Sequence, residues 1–123
     1  MTYVDGFVLA VPADRKEAFR EHAASQISLF RECGVRRQVE CWGDDVPHGK
    51  LTDFFMAVQA KEDESVVFSW IEWPDKATRD AGMARFSELM QTDERFDATK
   101  NPPPFDGKRM IFGGFAPILM LGK

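Results

Sequence analysis

Acidic side chains interrupt otherwise apolar, β-like segments of this chain, and they are its clearest candidates for chemistry. Asp5 lies within YVDGFVLAV, Glu40 within VRRQVECWGD and Glu72 within VVFSWIEW. A carboxylate in apolar surroundings is unfavourable unless it is paired, and burial raises its pKa. Such a group can act as a general base or anchor a ligand in a pocket lined by aromatic rings.

Two interpretations of these carboxylates stay open. In the structural one, Asp5 and Glu72 pair with Lys108 or Arg109 and lock the strand register or a dimer seam. In the functional one, the candidate catalytic residues are Asp5, Glu72 and His48. The candidate binding residues, which would line or close an aromatic pocket, are Glu40, Trp42, Trp70, Lys108 and Arg109.

A second polar cluster occupies the segment from residue 44 to residue 53. Its potential ligands are Asp44, Asp45, His48 and Asp53, with glycines between them. Two adjacent carboxylates, an imidazole and a third carboxylate could hold a divalent metal, but the fixed spacing of a metal motif is missing. We interpret the segment as a turn and predict no metal. No nucleotide or phosphate motif occurs, so we also predict no cofactor.

The 123 residues correspond to one domain, residues 1–123, by the usual size of domains. The chain is 44% apolar and carries 16 basic and 20 acidic side chains. This composition is too apolar for a disordered chain, and the net charge of −4 is the wrong sign for binding phosphates. No apolar run approaches the length of a membrane span, and the first residues do not resemble a signal peptide. We expect a cytoplasmic protein in which Cys33 and Cys41 are free thiols.

Apolar periodicity predicts six elements in the order β, α, β, β, α, β. The predicted strands cover residues 3–11, 35–44, 66–73 and 110–121, and the predicted helices cover residues 14–33 and 75–92. Asp14 resembles the first residue of a capping box, and Gly34 ends the first helix. Residues 51–60 are compatible with a short strand or a helical turn. The order predicts an α+β two-layer sandwich, with an antiparallel sheet and both helices on one side.

Both faces of the predicted sheet are apolar. In the first strand Val4 and Val8 point to one face while Phe7 and Leu9 point to the other, and the strand over 66–73 repeats the pattern. Two helices cover one face only, and a sheet of four strands leaves a larger apolar patch than monomers commonly expose. We therefore predict a homodimer through the second sheet face.

Four stretches carry a family resemblance: YVDGFV, ECWGDDVPHGKLTDF, EDESVVFSWIEWP and PFDGKRMIFGGF. Across Tyr3 to Phe115 the chain resembles the domain-of-unknown-function 1428 family. The resemblance implies a ferredoxin-like βαββαβ fold of the dimeric α/β-barrel kind. It implies no activity, because none is established for the family. A label that connects some members with signal-recognition-particle RNA gains no support from the acidic charge.

Three functions compete at this point. By analogy with dimeric α/β barrels, the first is a small enzyme, like cofactor-independent monooxygenases or isomerases, that acts on an apolar or aromatic metabolite. The second is a non-catalytic dimeric protein that binds a small ligand. The third, RNA binding, is disfavoured because Arg36–Arg37 and Lys108–Arg109 are the only hint of a basic stripe.

Overall fold

A four-stranded antiparallel sheet with helices packed on one face forms the domain. The computed structural model describes residues 1–97 and 99–122, with Arg95 by its backbone alone. The strands are β1 (Tyr3–Pro12), β2 (Arg37–Trp42), β3 (Glu64–Trp73) and β4 (Ile111–Phe115), in the order β2-β3-β1-β4. The helices are α1 (Lys16–Ala24), α2 (Ile27–Cys33), α3 (Phe54–Ala57) and α4 (Lys76–Thr92). The predicted α+β ferredoxin-like fold is confirmed.

The two central strands form the longest pairing. β1 and β3 align over ten residues each, from Tyr3 opposite Trp73 to Pro12 opposite Glu64. Alternate side chains of this pair face the helices and form most of the core, including Leu9, Val67 and the fully buried Trp73. Apolar packing against the helices and a continuous ladder of backbone hydrogen bonds therefore stabilise the centre of the sheet.

The single helix predicted over residues 14–33 is wrong, because the chain breaks it in two. The Ser25 hydroxyl donates to the His22 carbonyl at 2.6 Å, and the Gln26 N–H donates to the Ala23 carbonyl. These bonds close a tight turn that ends α1, and α2 starts at Ile27. The predicted cap also fails, since Asp14 lies in a 3-10 turn and no side chain caps α1.

The predicted end of the first helical segment at Gly34 is confirmed. Gly34 has φ of 104°, a left-handed conformation that glycine adopts at low cost, and its N–H donates to the Arg31 carbonyl. The second predicted helix is also confirmed as α4. It starts at Lys76 because the Asp75 carboxylate accepts the Thr78 N–H at 2.7 Å.

The predicted last strand ends earlier than expected. β4 stops at Phe115 instead of reaching Leu121. Pro117 has no N–H to donate to a ladder, so a strand that ran through Pro117 could not pair fully with neighbours on both of its edges. Gly113 and Gly114 pair with Gly6 and Asp5 in regular register, which excludes a bulge there. A Cβ on Gly114 would meet the Tyr3 hydroxyl and Arg79, so glycine at this position lets these two side chains lie close to the β4 backbone.

The chain itself covers one end of the second sheet face. Residues 51–60 form a helical turn, α3, rather than a strand, and Val58 packs against Ala10 and Val66 with 1% of its surface exposed. The rest of that face stays open, with Phe68 47% and Phe115 63% exposed. The apolar area that a second copy of the chain would cover is therefore smaller than the sequence pattern indicates.

Candidate functional site

A groove of about 650 Å³ lies between α1–α2 and the edge strand β2. The residues that form its apolar floor are Phe19, Ala23, Ile27, Phe30, Val35 and Trp42. The break between α1 and α2 borders this space, and Ile27, the first residue of α2, keeps 42% of its surface exposed. A volume of this size is within the usual range for small-molecule sites.

Strand β2 directs its polar side chains toward the helices. Glu40 is opposite Ser69 and Gln38 is opposite Ile71, and these β3 partners belong to the helix-covered face. Val39 and Cys41 consequently point to the open face, opposite Trp70 and Phe68. A strand whose polar edge faces the helix layer gives the groove one hydrogen-bonding wall.

Glu40 is a predicted site residue that lines the groove and whose carboxyl has a shifted pKa. Desolvation by the groove atoms raises the pKa of its carboxyl above the ordinary 4.5, against the lowering effect of hydrogen bonds from Gln38 and Ser69. Its side chain still reaches solvent through the mouth of the groove. A carboxyl with a raised pKa and access to a cavity is suited to proton transfer.

Gln38 presents an unused acceptor beside Glu40. Its Nε2 donates to Glu40 Oε2 at 3.3 Å, and its buried Oε1 has no hydrogen-bond partner among the described residues. A buried oxygen without a donor is unfavourable. Gln38 was not among the predicted site residues, although its position two residues before Glu40 placed it on the same strand face.

Trp42 lies in the groove, where the sequence predicted an aromatic binding residue. Its ring is 6.4 Å from the Phe19 ring, and Lys16 Nζ stands 6.0 Å from its centroid. The other predicted aromatic residue, Trp70, lies on the opposite face of the sheet and donates its indole N–H to Glu72 Oε2 at 2.8 Å. The two tryptophans therefore cannot line one pocket.

Asp5 is buried in an ion pair, but with a different partner from the one predicted. Arg79 on α4 donates from Nη2 to Oδ1 at 2.8 Å and from Nε to Oδ2 at 3.1 Å, and Trp73 Nε1 donates to Oδ2 at 2.8 Å. Asp5 is 2% exposed. These bonds occupy both carboxylate oxygens, and Asp5 does not line the groove.

The expected pairing of Asp5 with Lys108 or Arg109 is wrong because of strand register. Gly114 is the β4 residue opposite Asp5, so Arg109 lies five positions farther along, a distance of about 17 Å. Arg109 instead binds Glu64, with Nη1 to Oε1 at 2.7 Å and Nη2 to Oε2 at 2.8 Å. Lys108 donates its backbone N–H to Asp106 Oδ1 at 3.0 Å.

Glu72 also has a partner other than the predicted one. Arg37 Nη1 donates to Glu72 Oε2 at 3.2 Å across the β2–β3 pair, on the open face of the sheet. Glu72 is therefore paired with a cation, as in the structural interpretation, but the cation is Arg37 instead of Lys108 or Arg109. Arg37 and Arg109, two of the four residues in the hint of a basic stripe, are thus engaged in ion pairs.

His48 lies far from the groove, in the segment that covers the open face. Its ring stacks on Phe55 with centroids 4.4 Å apart, and Nδ1 is 3.8 Å from Asp53 Oδ2. Asp53 caps α3 by accepting the Met56 N–H at 2.6 Å. This hydrogen bond is the largest of the effects that lower the pKa of the Asp53 carboxyl. Within residues 1–97 and 99–122, no group of three or more His, Cys, Asp or Glu side chains could hold a metal.

Arg79 is the partner that the sequence analysis missed. It belongs to α4, four residues after the Asp75 cap, and only the crossing of α4 over β1 brings it to Asp5. Nothing in the local pattern around Arg79 distinguishes it from the other arginines. Both cysteines are free, as predicted. None of the described helices is long and apolar enough to cross a membrane.

Comparison with known sequences and structures identifies the family. The profile described as "Protein of unknown function (DUF1428)" matches residues 2–107. The chain belongs to the DUF1428 family. A relative of this DUF1428 protein, "Uncharacterized protein YbaA" of Escherichia coli strain K12, is 57% identical over 119 residues, which cover 97% of this chain and 98% of the relative.

Solved structures with the same fold share little sequence with this DUF1428 protein. A dimeric ferredoxin-like protein from an uncultured marine organism has a TM-score of 0.58 at 11% identity, covering 98% of this chain and all of the other. A NIPSNAP domain protein from Burkholderia xenovorans also has a TM-score of 0.58, at 16% identity and with 98% and 99% coverage. Identities this low establish the fold alone.

Proposed function

We propose that this protein binds a small molecule with an apolar or aromatic body in the groove between α1–α2 and β2, and acts on it by proton transfer without a cofactor. Glu40 carries the proposal, because its raised pKa and its place on the groove wall suit a general base. Removal of a proton from carbon or oxygen is a step common to isomerisation and to cofactor-independent oxygenation. Glu40 replaces Asp5, Glu72 and His48 as the proposed catalytic group.

Binding is tested with 2-naphthol, a neutral aromatic probe, followed by saturation-transfer NMR. Ala23→Trp places an indole in the groove and should abolish the signal. Ala84→Trp adds the same ring to the exposed surface of α4 and should leave the signal unchanged. Equal signals from both variants would show that the probe binds elsewhere and would refute the groove as the site.

Catalysis is tested by incubating the protein with a panel of aromatic metabolites and measuring products by mass spectrometry. Glu40→Gln should retain binding but lose turnover, because an amide cannot accept the proton. A base must be ionised, so the rate should rise with pH through a pKa above the ordinary 4.5 of a glutamate. A rate that is the same in Glu40→Gln would exclude this residue as the base.

A non-catalytic ligand-binding protein is the second candidate function. The hydrogen-bond partners that influence Glu40 are Gln38 and Ser69, and neither titrates near neutral pH. A proton-transfer enzyme often uses a second titratable group to return the proton. Binding of the naphthol probe without turnover of any panel member would favour this candidate.

We also propose that the protein functions as a homodimer through the open sheet face, in the cytoplasm. Exposed apolar side chains support the dimer, with Phe68, Ile111 and Phe115 each at least 46% exposed on that face. The fold neighbour from the marine organism is described as dimeric. The two free thiols agree with a reducing compartment. The net charge of −4 continues to disfavour a nucleic-acid partner.

A further inference from the structure

The groove carries a charge opposite to that of the whole chain. Its cationic side chains outnumber its anionic ones by four to two, although acidic residues exceed basic ones in the protein. The cations are Lys16, Arg20, Arg31 and Arg36, and the acids are Glu21 and Glu40, whereas the side chain of the bordering Arg37 lies on the other sheet face. A local excess of positive charge around an apolar floor attracts an anion and orients it.

These cations stand at two ends of the groove. Lys16 contacts the Trp42 ring at the end of β2, whereas Arg31 and Arg36 flank the turn that joins α2 to β2. Glu40 lies between the two ends.

Arg31 and Arg36 are the cations available to a ligand. Arg37 is engaged with Glu72 at 3.2 Å on the other sheet face, and Arg20 has Glu17 at 3.6 Å. Neither Arg31 nor Arg36 has an ion pair within 4 Å in residues 1–97 and 99–122, although the charge of Arg36 contributes to the lowered pKa of Asp75. Guanidinium groups with no carboxylate at ion-pair distance, beside the apolar side chains of Phe30 and Val35, can bind an anionic head group.

A second polar contact is available farther into the groove. Gln38 Oε1 is buried without a donor, and its amide is oriented by the bond from Nε2 to Glu40. A ligand hydroxyl or N–H at this position would satisfy Oε1 and stand beside the proposed base. The ligand thus needs an anion at one end, an apolar body and a hydrogen-bond donor at the other.

We infer that the ligand class is an amphipathic organic carboxylate, with its carboxylate between Arg31 and Arg36, its ring or chain on the apolar floor, and a hydroxyl donating to Gln38. The inference rests on the proposed function, because it names the ligand of the same groove. A carboxylate matches the paired N–H donors that a guanidinium group presents.

The test uses a charged probe and its neutral analogue, 2-naphthoate and 2-naphthamide, titrated calorimetrically into the intact protein. We expect the carboxylate to bind about tenfold more tightly, as one charge-assisted contact allows. Arg31→Gln and Arg36→Gln should each weaken naphthoate several-fold and leave naphthamide unchanged. Arg85→Gln, an exposed arginine of α4 outside the groove, is the matched control and should change neither.

The contact with Gln38 is tested with 6-hydroxy-2-naphthoate. Its hydroxyl should improve affinity over 2-naphthoate in the natural protein but not in Gln38→Leu, which lacks the acceptor. Raising the salt concentration should weaken both carboxylates and spare the amide, because screening acts on the charge.

These experiments distinguish a failure of the carboxylate inference from a failure of the proposed function. Equal affinity for naphthoate and naphthamide would overturn the carboxylate inference while the proposed groove site stands. Naphthoate affinity that falls equally in Arg85→Gln would also overturn it, since the effect would then be one of net charge. Absence of binding by every naphthalene probe would overturn the inference and the proposed function together.

Discussion

Asp5, whose side chain is 3% exposed, forms an ion pair with Arg79 at a point where α4 crosses the central strand β1. Removal of one partner from such a pair leaves a charge in a site that excludes water. We expect Asp5→Asn to lower the free energy of unfolding by about 3 kcal/mol, measured by urea denaturation.

Asp80→Asn is the matched control for that prediction. Asp80 binds the same Arg79 at 3.1 Å, but about half of its side chain is exposed. An exposed pair contributes under about 1 kcal/mol, so this variant should unfold near the natural midpoint. Equal losses from the two variants would contradict the structural role of Asp5.

The Glu64–Arg109 pair predicts a specific acid sensitivity. The bidentate contact with Arg109 lowers the pKa of Glu64 from 4.5 to about 2. A carboxyl whose pKa is lower in the folded state stabilises the protein fully above its unfolded pKa. That contribution is lost as pH falls from about 4.5 toward 2.

The measurement is the urea midpoint of the natural protein and of Glu64→Gln across this pH range. Other carboxyls with lowered pKa values, such as Asp53 and Asp106, are present in both proteins and affect both midpoints. The gap between the two midpoints should therefore narrow as the pH falls. A constant gap would show that the ionisation of Glu64 does not stabilise the fold.

Sequence periodicity could identify which carboxylates lie on strands but not which cations they meet. Alternation along β1 placed Asp5 on the face with Phe7 and Leu9, and the structure has it there. Its partner depends on the crossing of a helix that starts seventy residues later, and no local pattern encodes that crossing. Glu40 was predicted as a binding residue, but the groove that it lines depends on how α1 and α2 pack beside β2, which local periodicity does not encode.

At the scale of elements, Gly82 determines how closely α4 approaches its neighbours. A Cβ at this position would overlap the Cys33 carbonyl and the Trp73 ring. Alanine favours helices over glycine by about 1 kcal/mol, but overpacking costs about 1–3 kcal/mol. We expect the overlap to dominate, so Gly82→Ala should lower the thermal midpoint.

Gly107→Ala is the control, because a Cβ there meets no atom within 4 Å and the backbone is right-handed. Its thermal midpoint should stay close to that of the natural protein. A higher midpoint in Gly82→Ala would mean that α4 can shift away from Trp73 without loss.

The elements that periodicity predicted well are those whose apolar pattern and end signals agree. β1, β3 and α4 fall in this class, as do the ends at Gly34 and Asp75. The break between α1 and α2 was missed because Ser25 and Gln26 are ordinary helix residues, and a side-chain bond to a carbonyl one turn back decides their conformation. The early end of β4 followed from Pro117, a signal that the apolar run around it concealed.

At the scale of the whole molecule, the open sheet face predicts the oligomeric state. We expect sedimentation analysis to give about 28 kDa, twice the 14.0 kDa of the chain. Phe115→Glu places a charge on the exposed part of that face and should yield a folded monomer.

Met90→Glu is the matched control for the dimer. Met90 lies on α4, on the helix-covered side of the sheet, and is 55% exposed, so its replacement should leave the dimer intact. A natural protein that sediments as a 14.0 kDa monomer at micromolar concentration would refute the proposed assembly.

The sheet order also affects how the protein is made. β1 leaves the ribosome before the other described strands, yet its neighbour β3 follows only after about half of the 123 residues and β4 only near their end. Until then an apolar strand with two open edges is exposed, which is a condition for association between nascent chains. We therefore expect protein yield to depend on chaperones that hold the amino-terminal segment, and to fall when translation pauses before Trp73.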